Sequence, residues 1–256
     1  MNLLYENVSI LWPALLGGML VLLTHVPLGQ QVLSRGIVFI DLAIAQVAGL
    51  GVIAAHYFGF ELQGWTTQLA AVTAALLGSL LMTWTERRRP EVQEALIGIL
   101  FVLASTAQIL LLANDPHGGE DLKDLLAGQI LWVSGAQLLR TAVLTAVFLA
   151  VWYTLRERIG RTGFYVLFAF VVTASVQIVG VYLVFTTLIV PAVAVYRLPR
   201  QQQLPVGLAL AFASYLIGLA VSAVVDLPSS PVVVWTMVLF GIVVHLASPR
   251  PIQGST

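Results

Sequence analysis

The chain has 256 residues, of which 59% are hydrophobic and only 9% charged, with zero net charge and a mean hydropathy of +0.95. A soluble domain carries about 25% charged residues, so these figures exclude an ordinary soluble domain, a disordered chain and a coiled coil. With no basic patch to neutralise phosphates the chain is no nucleic-acid binder, and its long unbroken apolar runs exclude a porin-type barrel, whose strands alternate polar and apolar residues.

What remains is an all-α polytopic transmembrane helical bundle. A helical span needs about 20 mostly apolar residues. In chain order, spans are expected at 9–28, 37–58, 66–84, 95–113, 138–155, 205–225 and 231–246. The first basic residue is Arg35, so the first run has no positive leader and reads as a retained span. Residues 163–196 contain no charge and are too long for one upright span. Gly180 sits in the middle and Pro191 is expected to break the second half. This stretch reads as two short passes, or as one pass and a broken or re-entrant segment around 180–196, which makes eight or nine spans in all.

Basic residues favour the cytoplasmic side. With the loop at Arg35 inside and nine passes, ten of the twelve basic residues fall inside, and only Lys123 and Arg140 fall outside. Seven acids lie outside: Glu6, Glu61, Asp115, Glu120, Asp121, Asp124 and Asp226. The nine-pass reading places the C-terminus in the cytoplasm of a multi-pass protein of the cell (inner) membrane. The organisation is a single transmembrane domain over 1–256, with an outer loop at 114–137 and a polar tail at 248–256. Within the loop, apolar positions 122, 125, 126, 130 and 131 suit an amphipathic helix at the membrane surface. Leu227-Pro-Ser-Ser-Pro reads as a tight turn before the last span. The chain contains no phosphate-binding glycine-rich loop, so an energised transporter would need its motor on another chain.

Ionisable residues inside a span are costly and mark function by default. Asp41 is the one acid well inside a span, with pairing to Arg35 or capping of a neighbouring helix end as the structural alternatives. Gln46 follows five residues later, offset by about 140° around the helix, so the two cannot chelate one ion from a straight helix. Gln46, Gln108 and Gln177 are amides at similar depths in three spans; they either bond across helices or line a polar pathway. His25 and His245 near inner span ends, and His56 near an outer one, read as interfacial residues. The loop Asn114-Asp-Pro-His-Gly-Gly-Glu-Asp gathers Asp115, His117, Glu120 and Asp121 within seven residues. It is a weak cation-binding candidate or a solvated acidic loop. With no cysteine, disulfides and thiolate metal sites are excluded.

Four segments resemble one family. They are Glu94-Ala-Leu-Ile-Gly-Ile-Leu, Asp121-Leu-Lys-Asp-Leu-Leu-Ala-Gly128-Gln-Ile-Leu-Trp-Val133, the run Gln177-Ile-Val-Gly180 through Thr187-Leu-Ile-Val-Pro191-Ala-Val-Ala, and Asp226-Leu-Pro-Ser-Ser-Pro231. In this order and register they are similar to the signatures of zinc/manganese ABC-transporter permeases. The resemblance implies a non-enzymatic membrane subunit, working as a homodimer, that passes zinc or manganese along a pathway. It also implies a cytoplasmic ATP-binding subunit that uses the ATP, and an extracytoplasmic metal-binding protein that delivers the ion. No covalently bound cofactor is implied. The pathway residues are then expected to be Asp41, Gln46, Gln108 and Gln177, with Asp41 and, weakly, His117 as metal ligands. Arg156, Arg158, Arg161, Arg197 and Arg200 are expected to face the ATPase, with positive-inside topology as the plain alternative for them.

Two features depart from the family pattern. Its second span carries Asp and His four residues apart, on one helix face. Here the stretch reads Phe39-Ile-Asp41-Leu-Ala-Ile-Ala-Gln46-Val-Ala-Gly-Leu-Gly51. Anchored on Gly51, Gln46 takes the His place and Leu42 the Asp place; anchored on Asp41, Ala45 takes the His place. The family's longer cytoplasmic coupling stretch is reduced here to Arg156-Glu-Arg-Ile-Gly-Arg-Thr162. These departures keep three alternatives open: a degenerate permease-like component, a permease for a non-metal substrate, and a secondary transporter coupled through Asp41.

Overall fold

In the computed structural model the described residues are 2–37, 39–61, 64–112, 115–155, 158 and 160–248. They form α1 (Asn2–Arg35), α2 (Ile40–Tyr57), α3 (Trp65–Arg88), α4 (Gln93–Leu112), α5 (Gly118–Ala127), α6 (Gly135–Leu155), α7 (Arg161–Val195), α8 (Arg200–Val225) and α9 (Ser229–Ala247). Short 3₁₀ turns at Pro90–Val92 and Ile130–Trp132 precede α4 and α6. All except α5 are long and apolar enough to cross a membrane, giving eight span helices among the described residues. The architecture is the all-α bundle expected from hydropathy. Of the expected polar tail, only Ser248 is described.

The bundle has a basic end, where Arg35, Arg87, Arg88, Arg161, Arg197 and Arg200 lie, and an acidic end, which carries Glu61, Asp115, Asp121 and Asp226. Helix α7 touches both ends. Near its start, Phe164 lies under Arg35, with 4.2 Å from the guanidinium to the ring, and Arg161 lies 3.7 Å from Glu86 near the end of α3. Further along, Gln177 accepts a hydrogen bond from Gln68 in the first turn of α3. Ser230, at the start of α9, donates to the Val179 carbonyl at 3.2 Å. The chain then returns. Leu188 lies against Gly29, and His245 Nδ1 lies 3.2 Å from the Val193 carbonyl near the end of α9. Both ends of α7 therefore lie at the basic end, and its halves, 161–179 and 181–195, run in opposite directions. At 1.5 Å per residue they measure about 28 and 22 Å, so α7 is a hairpin within the membrane that begins and ends at the same face of the bundle.

The reversal is made by Gly180 alone, the one residue of α7 with non-helical dihedrals (φ 78°, ψ 163°). The expected break at Pro191 does not occur; Pro191 sits inside a continuous helix. A proline in a membrane helix is tolerated where neighbouring groups and local adjustment satisfy the freed carbonyl, and Pro191 is buried against its neighbours. The turn before α9 forms where expected, with Asp226 in the left-handed region (φ 55°) ending α8.

Lipid is as apolar as leucine, so such helices associate by close packing rather than by hydrophobic transfer. Small residues provide the approach. A Cβ at Gly51 would meet the Ala70 carbonyl of α3 at 2.7 Å, and one at Gly18 would meet the Tyr215 ring of α8 at 2.4 Å. Helix α7 is the centre of the bundle, with 78% of its most apolar window buried, against 22% in each of α4, α6 and α9.

Candidate functional site

Helix α2 is buried over most of its length and packs on α3, α4 and α7. Gln46 points toward α4, where Gln108 Nε2 donates to the Gln46 backbone oxygen at 2.9 Å and to its Oε1 at 2.8 Å. Both amides are buried, and Gln108 Oε1 has no partner among the described residues. One turn further, Gly49 leaves room for Gln108 and for Leu125 of α5, whose methyl group a Cβ there would meet at 2.6 Å. The amphipathic α5 thus lays an apolar side chain into the bundle beside the amide pair.

A second amide pair lies toward the acidic end. Gln68 Nε2 donates to Gln177 Oε1, and Gln177 Nε2 lacks a partner among the described residues. Both side chains line a cavity of about 160 Å³ whose other polar walls are Asp121, Asp124, Gln129, Gln137 and Arg140. Gln129 Nε2 donates to Asp124 at 2.6 Å. Past α5 the chain turns at Gly128, which abuts Gly180; a Cβ on Gly180 would lie 2.3 Å from the Gly128 nitrogen. The loop that roofs the cavity is therefore seated directly on the bend of α7.

Asp41 lies in the first turn of α2, fully buried, and neither carboxyl oxygen has a hydrogen-bond partner among the described residues. No ion pair joins it to Arg35, whose guanidinium is over Phe164 instead. The structure brings Gln46 and Gln108 together and gives Gln177 a different partner, Gln68. His25, read as interfacial, is fully buried; its Nδ1 lies within hydrogen-bond reach of Thr24 Oγ1 and the Val21 carbonyl. His117 is exposed, with its backbone N–H donating to Asp115 at 2.9 Å; the imidazole beside Asp115 and Asp121 is that of His56.

At the basic end, Arg87 donates to Thr162 at 2.9 Å beside the Arg161–Glu86 pair. Arg158 is exposed. Arg197 and Arg200 border a cavity of about 390 Å³ with Gln30, Ser34, Tyr196 and Gln203. Arg156 lies outside the described residues.

Sequence reasoning missed Gln68 and His56 as site residues. A signal existed for Gln68, a long amide in the first turn of an otherwise apolar span. None existed for His56, whose neighbours are about sixty residues away in the chain.

Eight apolar helices around a buried centre are the architecture of an integral membrane protein. The chain belongs to the ABC 3 transport family, whose match covers residues 7–161 and 154–248. It is 26% identical over 247 residues to the high-affinity zinc uptake system membrane protein ZnuB of Haemophilus influenzae, covering 88% of this chain and 93% of that one. Its fold matches the solved structure of PsaBC from Streptococcus pneumoniae in complex with Fab, with a TM-score of 0.78, 19% identity and 96% of each chain covered.

Proposed function

We propose that this chain is the membrane permease subunit of a metal-ion ABC importer carrying zinc or manganese. The observation that carries this reading is the family match along nearly the whole chain, together with the likeness to a zinc uptake membrane protein over most of both lengths. The chain moves its substrate and does no chemistry on it. It works as a homodimer, with a separate cytoplasmic ATP-binding subunit that uses the ATP and an extracytoplasmic metal-binding protein that delivers the ion. ATP turnover shifts the permease between outward-open and inward-open populations.

In this reading the acidic end faces outward and the basic end, with the C-terminus, faces the cytoplasm of a cell (inner) membrane. The pathway runs from the polar cavity past Gln177, then past Gln46 and Gln108, toward Asp41. Amide oxygens and a carboxylate supply weak ligands suited to passage rather than retention. A carboxyl group buried without a partner is costly unless it has a task, which supports a place on the route for Asp41. Arg158, Arg161, Arg197 and Arg200 belong to the surface that meets the ATPase, and Arg156 is assigned to it by its place in the sequence.

The test is ATP-driven uptake of radiolabelled zinc and manganese into proteoliposomes holding the chain and its ATPase, with the binding protein outside. Uptake is expected in wild type and a loss of tenfold or more in Asp41→Ala and Gln46→Ala. A stable ATPase complex that takes up neither metal overturns the metal reading and leaves a permease for another substrate. The missing Asp/His pair in α2 favours a second reading, a degenerate, non-transporting component. That reading predicts that no ATPase binds, or that metal-loaded binding protein leaves hydrolysis unchanged.

A further inference from the structure

We propose that His56, Asp115 and Asp121 form a divalent-cation site at the acidic end, specific for a transition metal of zinc's type. This deepens the permease reading, and rests on it only for the ion's onward route. The donors come from two distant stretches: His56 from the last turn of α2, Asp115 from the loop after α4, and Asp121 from the first turn of α5. One ligand atom from each lies within 4.8 Å of the others, and His56 Nε2 is 3.7 Å from Asp115 Oδ2 and 3.9 Å from Asp121 Oδ2.

The surrounding contacts fix the donors in this arrangement. His56 Nδ1 lies 3.4 Å from the Phe60 carbonyl. With Nδ1 donating there and the imidazole neutral, Nε2 turns its lone pair toward the two carboxylates, and a cation between the three acceptors would complete the arrangement. A backbone carbonyl on the far ring nitrogen is also the usual means of orienting a ligating histidine. Asp115 is held by the His117 N–H on Oδ1, which leaves Oδ2 facing the cluster. Among the described residues no lysine or arginine pairs with either carboxylate.

The donor set selects the ion. One imidazole and two carboxylates carry a charge of −2 and balance a divalent cation. Zinc binds such donors at about 2.0–2.2 Å in a tetrahedron, which sets them roughly 3.4 Å apart. The two observed separations from the imidazole are a few tenths of an ångström longer, within the reach of side-chain adjustment. The same ligands hold zinc more tightly than manganese. Three protein ligands leave a coordination position open, and side-chain exposures of 34%, 28% and 18% leave the site reachable from solution. These are properties of a site that exchanges its ion.

An independent observation gives the site an outlet. Asp121 is also a wall of the cavity that holds Gln68 and Gln177. One carboxylate therefore belongs both to the surface cluster and to the polar space leading inward, so an ion held at the cluster is already at the mouth of the pathway.

The test is zinc binding to the full-length chain in detergent, by competition with a chromophoric chelator and by the thermal shift zinc produces. Wild type is expected to bind zinc and gain thermal stability from it. His56→Ala and Asp121→Asn should each weaken binding roughly tenfold or more. His117→Ala and Asp226→Asn, in the same face but outside the cluster, should bind as wild type does. Equal melting of all variants without zinc separates loss of the site from loss of the fold. Binding unchanged in His56→Ala and Asp121→Asn, or absent in wild type, overturns the site. Zinc bound by wild type and lost in both variants, with no metal uptake in the reconstituted system, supports the site while the transport reading fails. Full uptake by a variant that has lost binding overturns the receiving role.

Discussion

Gly128 and Gly180 share an unusual backbone, with φ and ψ of 72° and 169° and of 78° and 163°. This region of conformational space is open almost only to glycine. The two residues also face each other backbone to backbone, so neither has room for a side chain: a Cβ on Gly128 would lie 2.2 Å from the Val179 carbonyl carbon. Gly180→Ala and Gly128→Ala are each expected to destabilise by about 1–3 kcal/mol from backbone strain, with about 1–3 kcal/mol more from overpacking. The measurement is the thermal midpoint of the purified chain in detergent. Gly98→Ala, in α4 where a Cβ meets nothing within 4 Å, should stay within about 1 kcal/mol of wild type. Gly180 was marked by its central place in an uncharged run. Its partner was not, because sequence order holds no record of which backbone packs on Gly128. Gln46 was legible as a buried amide, and its bond to Gln108 followed one of the two readings available for such residues. The gathering of His56 with Asp115 and Asp121 depends on the end of α2 lying beside α5, which no local pattern encodes.

At the scale of elements, the positions of the spans were legible because each needs its own unbroken apolar run. The joints between them were less so. The α3–α4 connection is closed by Gln93, the first residue of α4, whose Oε1 accepts from Thr85 Oγ1 at 3.0 Å and whose Nε2 donates to the Met82 carbonyl at 3.2 Å. A buried side chain thus reaches back to the last turn of α3 across Pro90. Gln93→Leu would remove both bonds across the joint, while Thr85 Oγ1 keeps the Met82 carbonyl as its acceptor at 3.0 Å, so the cost is about 0.5–1.5 kcal/mol. The expected result is a lower thermal midpoint and faster proteolysis in the 86–93 connection. An unchanged midpoint would show that the Pro90 turn holds without it. Pro191 shows the opposite error: its chemistry announces a break, yet burial inside the bundle keeps the helix whole.

For the whole molecule, the number of passes decides which surfaces share a compartment. The chain has no cysteine, so single cysteines can be introduced at Glu61, Arg88, Arg200 and Asp226 without background labelling. In intact cells an impermeant thiol reagent should label positions 61 and 226 directly, and positions 88 and 200 only after permeabilisation. Labelling of 61 and 226 from opposite sides would refute the reversal at Gly180, since an undivided α7 would place α8 and α9 upside down. The charge segregation that pointed to nine passes is a property of the sequence as a whole. The means of achieving it, with one residue instead of a loop, is not.

That economy bears on how the protein enters its membrane. A helical hairpin normally drags a hydrated connection through the hydrocarbon as it inserts, and residues 163–196 have none to drag, being free of charge from end to end. The two halves of α7 can therefore partition from the insertion machinery as one mostly apolar wedge, with no charged segment to translocate. Gly128 is synthesised before Gly180, so the backbone that packs on the wedge's tip has already been made when the wedge emerges.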